Sequence, residues 1–258
     1  MSNPRFKIEI PKSSLAAIVA QRLREAIIDG DFALGDMIAE ESLAVSFGVS
    51  RTPVREALNQ LQSLGLVVIR PQRGSYVFEP SAADIAAICE FRCVVEPRAA
   101  ELAYRHDRDA TADALRSAIA EMESARLQRD PVRYGRADTK LHEAFFDHCG
   151  NAYMQAAYET AAAKIAALRT HLSAPADVLH TRGFAQHSQL LELFLAGDFK
   201  AFEALMREHV TGTRDNYVNN LKARAQAKVN EPAVTPGEPG ELRGALITFS
   251  WSRCRVSS

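Results

Sequence analysis

The sequence predicts a mainly α protein in two parts. The first is an N-terminal winged helix-turn-helix of three helices and a two-stranded wing. The second is a C-terminal all-α antiparallel bundle of six to seven helices. Three observations carry this expectation. Three helical-period segments follow one another before Gly65, separated by glycine-bearing breaks. Two short β-like runs then flank a Pro/Gly turn. From Pro80 to about Arg224, helical segments recur between caps and breakers with no strand pattern. The expected boundaries are 1–79 for the winged unit, 80–224 for the bundle and 225–258 for a disordered tail rich in Pro, Gly, Glu and Ala.

In the winged unit, Ser13 or Ser14 caps a helix in which Leu15, Ile18, Val19, Leu23, Ala26 and Ile27 recur at helical spacing, and Gly30 ends it. After a turn through Leu34, Gly35 and Asp36, a second helix runs from about Ala39 to Phe47 and stops at Gly48. Ser50 is a good N-cap for a third, with Pro53 tolerated in its first turn and an end near Gly65. Leu66–Ile69 and Ser75–Phe78 read as strands joined by Arg70-Pro71-Gln72-Arg73-Gly74. In the bundle, Ser81 opens a helix to about His106 in which Pro97 is expected to make a kink. Further helices are expected at Thr111–Gln128, from Asp130-Pro131 to Gly150, at Ala152–Leu172 and at Arg182–Ala196. A last one follows the Gly197-Asp198 turn.

Composition narrows the function classes. Net charge is −1, so any contact with nucleic acid must come from a local basic patch. No apolar run approaches the roughly 20 residues that span a bilayer, and Met1–Pro11 lacks the apolar stretch of a secretory signal. The four cysteines form no Cys-x-x-Cys pair, which fits a reduced, cytoplasmic chain.

The third helix has two chemistries on two faces. Val54, Ala57, Leu58, Leu61 and Leu64 form a packing stripe. Arg51, Thr52, Arg55 and Asn59 lie opposite, and Ser50, Arg51, Thr52 and Arg55 crowd the N-terminal end, where free N–H groups favour phosphate. Arginine also forks onto guanine O6 and N7. Gln72 and Arg73 occupy the wing tip. The ordinary alternative is a solvated helix face beside a structural hairpin. The stretch Phe47-Gly48-Val49-Ser50-Arg51-Thr52-Pro53-Val54-Arg55-Glu56-Ala57-Leu58, then Leu61, Gly65-Leu66-Val67 and the wing Pro71-Gln72-Arg73-Gly74-Ser75-Tyr76-Val77 resembles the GntR family of bacterial transcription factors. The resemblance implies operator contacts from Arg51, Thr52 and Arg55, with Ser50 beside them, and a wing tip at Arg73-Gly74 that approaches the minor groove. Many members carry a basic residue early in the second helix. Here Glu40 and Glu41 stand there, which weighs against a phosphate contact from that helix.

The bundle holds a second constellation. Asp138 and His142 are four apart and share a helix face. His187 lies ten residues before Gly197 and His209 eleven after Asp198, so an antiparallel hairpin sets the two imidazoles at one level. Three nitrogens and one carboxylate oxygen, if brought together, suit zinc, nickel, manganese or iron. The ordinary alternative is a set of boundary histidines, the reading kept for His106, His148, His171 and His180. Phe91-Arg92-x-x-x-Glu96-Pro97, Asp138-x-x-x-His142, Gly150-Asn151, His187, Gly197-Asp198 and His209 resemble the FCD effector domain of the FadR subfamily. That resemblance implies a divalent metal, zinc first, on Asp138, His142, His187 and His209, and effectors that are small organic acids.

Arg92 is a candidate anchor for such an acid, weighed evenly against a salt bridge to Glu96; Arg169 and Arg182 are weaker candidates. The expected function is a homodimeric, metabolite-responsive regulator of operator DNA, cytoplasmic and not an enzyme. The alternatives are a purely structural metal without an acid effector, or a metal-dependent hydrolase with a DNA-binding appendage. For the hydrolase, Glu143 beside His142 is the nearest acid–base group, and it points about 100° away around the helix.

Overall fold

The computed structural model describes residues 14–173 and 179–230. The winged unit is built from α1 (Leu15–Asp29), β1 (Met37–Ile38), α2 (Glu40–Phe47), α3 (Arg51–Ser63), β2 (Val67–Arg70) and β3 (Gly74–Val77). Ser14 is the cap of α1, its hydroxyl accepting from the Ala17 N–H. Ser50 does occupy the N-cap position of α3, but its side chain makes no capping bond. The expected packing stripe is inside: Val54, Ala57, Leu58 and Leu61 are buried against Leu23 and Ile27 of α1 and Leu66 at the foot of the wing. Leu64, at the helix end, stays partly exposed.

The wing has three strands rather than two. β1 pairs antiparallel with β3, Met37 opposite Tyr76, giving the order β1-β3-β2. Two residues are too short to show a two-residue hydrophobic alternation, so nothing in the local pattern announces β1. Its place comes from the free edge of β3.

The helical unit comprises α4 (Ala82–Leu127), α5 (Pro131–Asp147), α6 (Ala152–Leu172), α7 (Leu179–Ala196) and α8 (Phe199–Asn230). A capping box opens α4: Ser81 Oγ accepts from the Asp84 N–H, and the Asp84 carboxylate accepts from the Ser81 N–H. The backbone of α4 leaves helical geometry at Asp107 (φ −151°, ψ 71°), between the expected helix end near His106 and the expected start at Thr111, while Pro97, the expected site of a kink, keeps helical dihedrals. Asp107 is a natural restart point, since its carboxylate accepts from the Ala110 N–H at 3.3 Å. With that break counted, six helical segments form the described bundle. The last helix extends to Asn230, so residues 225–230, expected in the tail, are helical; the remainder of the tail lies outside the described residues. None of the described helices is long and apolar enough to cross a membrane.

At the α5–α6 corner, Gly150 adopts φ +65°, and an added Cβ would sit 2.6 Å from Cγ and 2.8 Å from Nε2 of the His106 ring. Gly150→Ala is therefore expected to destabilise the fold by about 1–3 kcal/mol, from left-handed backbone strain plus the displaced ring. Urea unfolding with an unchanged midpoint would contradict that.

The two units meet along α6. His171 Nε2–H donates to the Ile27 carbonyl at the end of α1 (2.7 Å), the Lys164 side chain lies against Gly65 at the end of α3, and Arg136 of α5 pairs with Asp29.

Candidate functional site

The DNA-facing expectations fall on one exposed surface. Ser50, Arg51, Thr52 and Arg55 are exposed around the first turn of α3, and Arg73 and Gly74 are exposed at the wing tip. The wing is braced from within: the Tyr76 hydroxyl donates to the Arg73 carbonyl (2.9 Å), and the Arg70 guanidinium lies over the Tyr76 ring, 4.8 Å from its centroid. Glu40 of α2 reaches this surface. Its Oε2 accepts from Arg55 Nε at 2.7 Å and lies 3.8 Å from Arg51 Nη2.

In the bundle, the three predicted imidazoles come together. His142 of α5, His187 of α7 and His209 of α8 each place one nitrogen within 4.8 Å of the others, and all three are buried. Ring centroids of His187 and His209 are 4.7 Å apart, in keeping with their nearly equal distances from the Gly197-Asp198 turn. Asp138 is adjacent rather than a member of that close set. Its Oδ1 lies 3.4 Å from His142 Nε2 and 2.9 Å from Arg169 Nε. Burial alone would push the Asp138 carboxyl up, but the Arg169 guanidinium beside it carries it well below the usual carboxylate range.

The partners of the rings decide what the cluster can do. His142 Nδ1–H donates to Glu96 Oε2 at 2.8 Å, leaving Nε2 as the lone pair facing the cluster. His209 Nδ1–H donates to the Gln186 amide oxygen at 3.1 Å, and Gln186 in turn donates to Glu208. His187 has no hydrogen-bond partner at either nitrogen. Desolvation lowers the pKa of all three, helped at His142 by Arg169 and Arg92, and at His209 by the other two rings. Neutral imidazoles with free lone pairs, two of them oriented through the opposite nitrogen, are the donor set a divalent metal takes. An orphaned buried imidazole otherwise bears a desolvation cost without return. The residues present therefore fit a metal.

Arg92 and Arg169 border this cluster. Arg92 is buried and gripped by Glu96, with Nε to Oε1 at 2.5 Å and Nη2 to Oε2 at 3.4 Å, and its Nη2 lies 3.5 Å from both nitrogens of His142. The salt bridge weighed as its alternative is thus present. Arg169 is buried too, donates to Thr139, and keeps a buried Nη2 without a hydrogen-bond partner. Arg182 is exposed and paired with Glu208. Glu96 as the partner of His142, Gln186 as that of His209 and Arg169 as that of Asp138 were not foreseen. The one local signal was Arg92-x-x-x-Glu96, which places the carboxylate beside the arginine and says nothing of His142.

Comparison with known proteins follows this division. The model of the FCD domain matches residues 87–212, and that of bacterial regulatory proteins of the gntR family matches residues 15–77. An HTH-type transcriptional regulator from an unstable DNA locus of Streptomyces ambofaciens is 30% identical over 215 residues, covering 79% of this chain and 85% of that protein. The HTH-type transcriptional regulator LutR of Bacillus subtilis is 26% identical over 217 residues, covering 73% and 94%. Among solved structures, a transcriptional regulator GntR from Rhodococcus sp. RHA1 superposes with a TM-score of 0.71 at 22% identity, over 79% of this chain and 97% of that one. McbR/YncC of E. coli superposes with a TM-score of 0.69 at 19% identity, over 83% and 100%. At these identities the structural likeness is one of fold.

Proposed function

This chain belongs to the gntR family of bacterial regulatory proteins and carries an FCD domain, and from that premise we propose a metabolite-responsive reader of operator DNA. Residues 1–79 read DNA, and residues 80–224 sense a ligand. The reading surface is Ser50, Arg51, Thr52 and Arg55 of α3, in the major groove, with Arg73 and Gly74 of the wing at the minor groove or backbone. Each chain offers one reading helix, so a homodimer on a two-fold-related operator is the natural assembly. The site of action is the cytoplasm, where that DNA lies.

The helical unit holds a divalent metal, zinc first, through His142, His187 and His209, with Asp138 as the adjacent carboxylate. The observation that carries this reading is His187, buried with both nitrogens unpartnered among two other neutral imidazoles. A divalent ion bound there would supply a Lewis-acidic anchor for a carboxylate or hydroxyl oxygen. The chain's own cations beside the cluster would add charge for a small organic acid. Arg92, locked by Glu96, contributes positive charge, and Arg169 has the donor to spare at Nη2. Acid bound against Arg169 draws that guanidinium between the ligand and Asp138. Because α6 also carries His171 and Lys164 onto the ends of α1 and α3, a shift of α6 changes how the reading heads are held.

The test is a thermal-shift screen of small organic acids on metal-stripped and metal-reloaded protein. An acid at 100 times its Kd is expected to add about 2.7 kcal/mol of stability. A shift only with metal present supports an effector site built on the metal. Stabilisation by metal with no response to any acid would replace that reading with a structural ion.

A further inference from the structure

We propose that Glu40 is a positioning residue of the reading surface: its carboxylate, held against Arg55 and Arg51, sets how strongly the protein prefers its operator over random DNA. The inference rests on α3 being the reading helix. Glu40 is the first residue of α2, and its side chain crosses to α3, with Oε2 2.7 Å from Arg55 Nε and 3.8 Å from Arg51 Nη2. Both arginine side chains are more than half exposed (54% and 60%), whereas that of Glu40 is 28% exposed, so the carboxylate sits behind the guanidinium groups. Glu41, its neighbour, is exposed and has no ion pair among the described residues.

The geometry separates two kinds of DNA contact. Arg55 spends Nε on Glu40 and keeps both terminal amino groups, the pair that forks onto guanine O6 and N7. Random DNA offers mainly phosphates, and a guanidinium already partnered by a carboxylate gains less from a phosphate. The fixed negative charge also lies well within a Debye length of any phosphate that Arg51 or Arg55 touches. Glu40 therefore penalises binding that rests on phosphates more than binding that rests on base edges. It also holds Arg55 in one direction before DNA arrives.

The experiment compares the full-length wild type with Glu40→Gln and Glu41→Gln, which remove the same formal charge from the same helix end. The probes are a random-sequence duplex and the strongest duplex that the wild type selects from a random pool, titrated between 50 and 200 mM salt. Glu40→Gln is expected to bind the random duplex several-fold more tightly. Its salt slope should steepen by about 0.9 for each arginine charge uncovered, an extra loss of roughly threefold across that salt range. The selected duplex gains less, so the preference ratio falls, while Glu41→Gln keeps the wild-type ratio. Equal changes in the two variants, or an unchanged ratio in Glu40→Gln, would overturn the proposal. Should Glu40→Gln not fold, Glu40→Ala, which removes the carboxylate altogether and suits a helix, is expected to lower the ratio in the same direction; an unchanged ratio there overturns it equally. A wild type that selects no duplex at all would instead remove the DNA-reading assignment beneath it.

Discussion

Replacing Arg55 with alanine is expected to abolish operator binding and leave the fold intact. The side chain is 60% exposed, and its partner in the protein is Glu40, so truncation breaks only a surface ion pair, a loss of about 1 kcal/mol at most. The apolar stripe of α3 faces away from it and is untouched. On DNA the balance reverses. A guanine fork contributes about 1–3 kcal/mol of discrimination, and the proposed two-fold dimer would lose it at both half-sites, so about 2–6 kcal/mol would disappear and Kd would rise at least thirtyfold. Fluorescence anisotropy on the selected duplex reads the affinity, and circular dichroism reads the helices. A variant that binds the duplex as the wild type does would remove α3 from the interface.

His187→Ala is expected to lose the metal and, with it, the stabilisation that metal supplies. In the wild type, metal at 100 times its Kd adds about 2.7 kcal/mol, which for a helical unit of this size is a rise in Tm of about 5–10 °C. In the variant, the melting curves with and without metal should coincide. The metal-free variant should not be much less stable than the metal-free wild type, because the imidazole removed has no hydrogen-bond partner to strand. Metal content by elemental analysis is the direct readout. Full occupancy in His187→Ala would refute the assigned cluster, whatever the melting behaviour.

Both expectations began as patterns in the chain, but to different depths. The two-faced helix α3 is local: a polar cap position, then a packing stripe and a basic face within thirteen residues. The bounds of α6 are local too, because Asn151 caps and Gly150 turns immediately before it. The pairing of His187 with His209 needed one further step, the symmetry of a hairpin about Gly197-Asp198, and the 4.7 Å ring separation follows from it. The break between the helices ending near His106 and starting near Thr111 was local as well, because Asp107 caps the second segment, whereas the kink expected at Pro97 leaves no non-helical dihedral there.

What the sequence determined by itself was therefore whatever rests on periodicity, capping and hairpin spacing: the two units, the helices, the exposed basic face of α3 and the three histidines that face one another. What only the tertiary structure decided was who partners whom across long separations. Glu40 with Arg55, His142 with Glu96 and Asp138 with Arg169 lie 15, 46 and 31 positions apart. β1 likewise exists because an edge of β3 was open to it. The physical reason is the same in each case. A charged or polar group takes the best-placed partner that packing brings within reach, and burial raises the penalty for having none. Asp138 turns to Arg169 on that account, and His187, whose packing brings it no hydrogen-bond partner, is left as the most telling atom pair in the bundle.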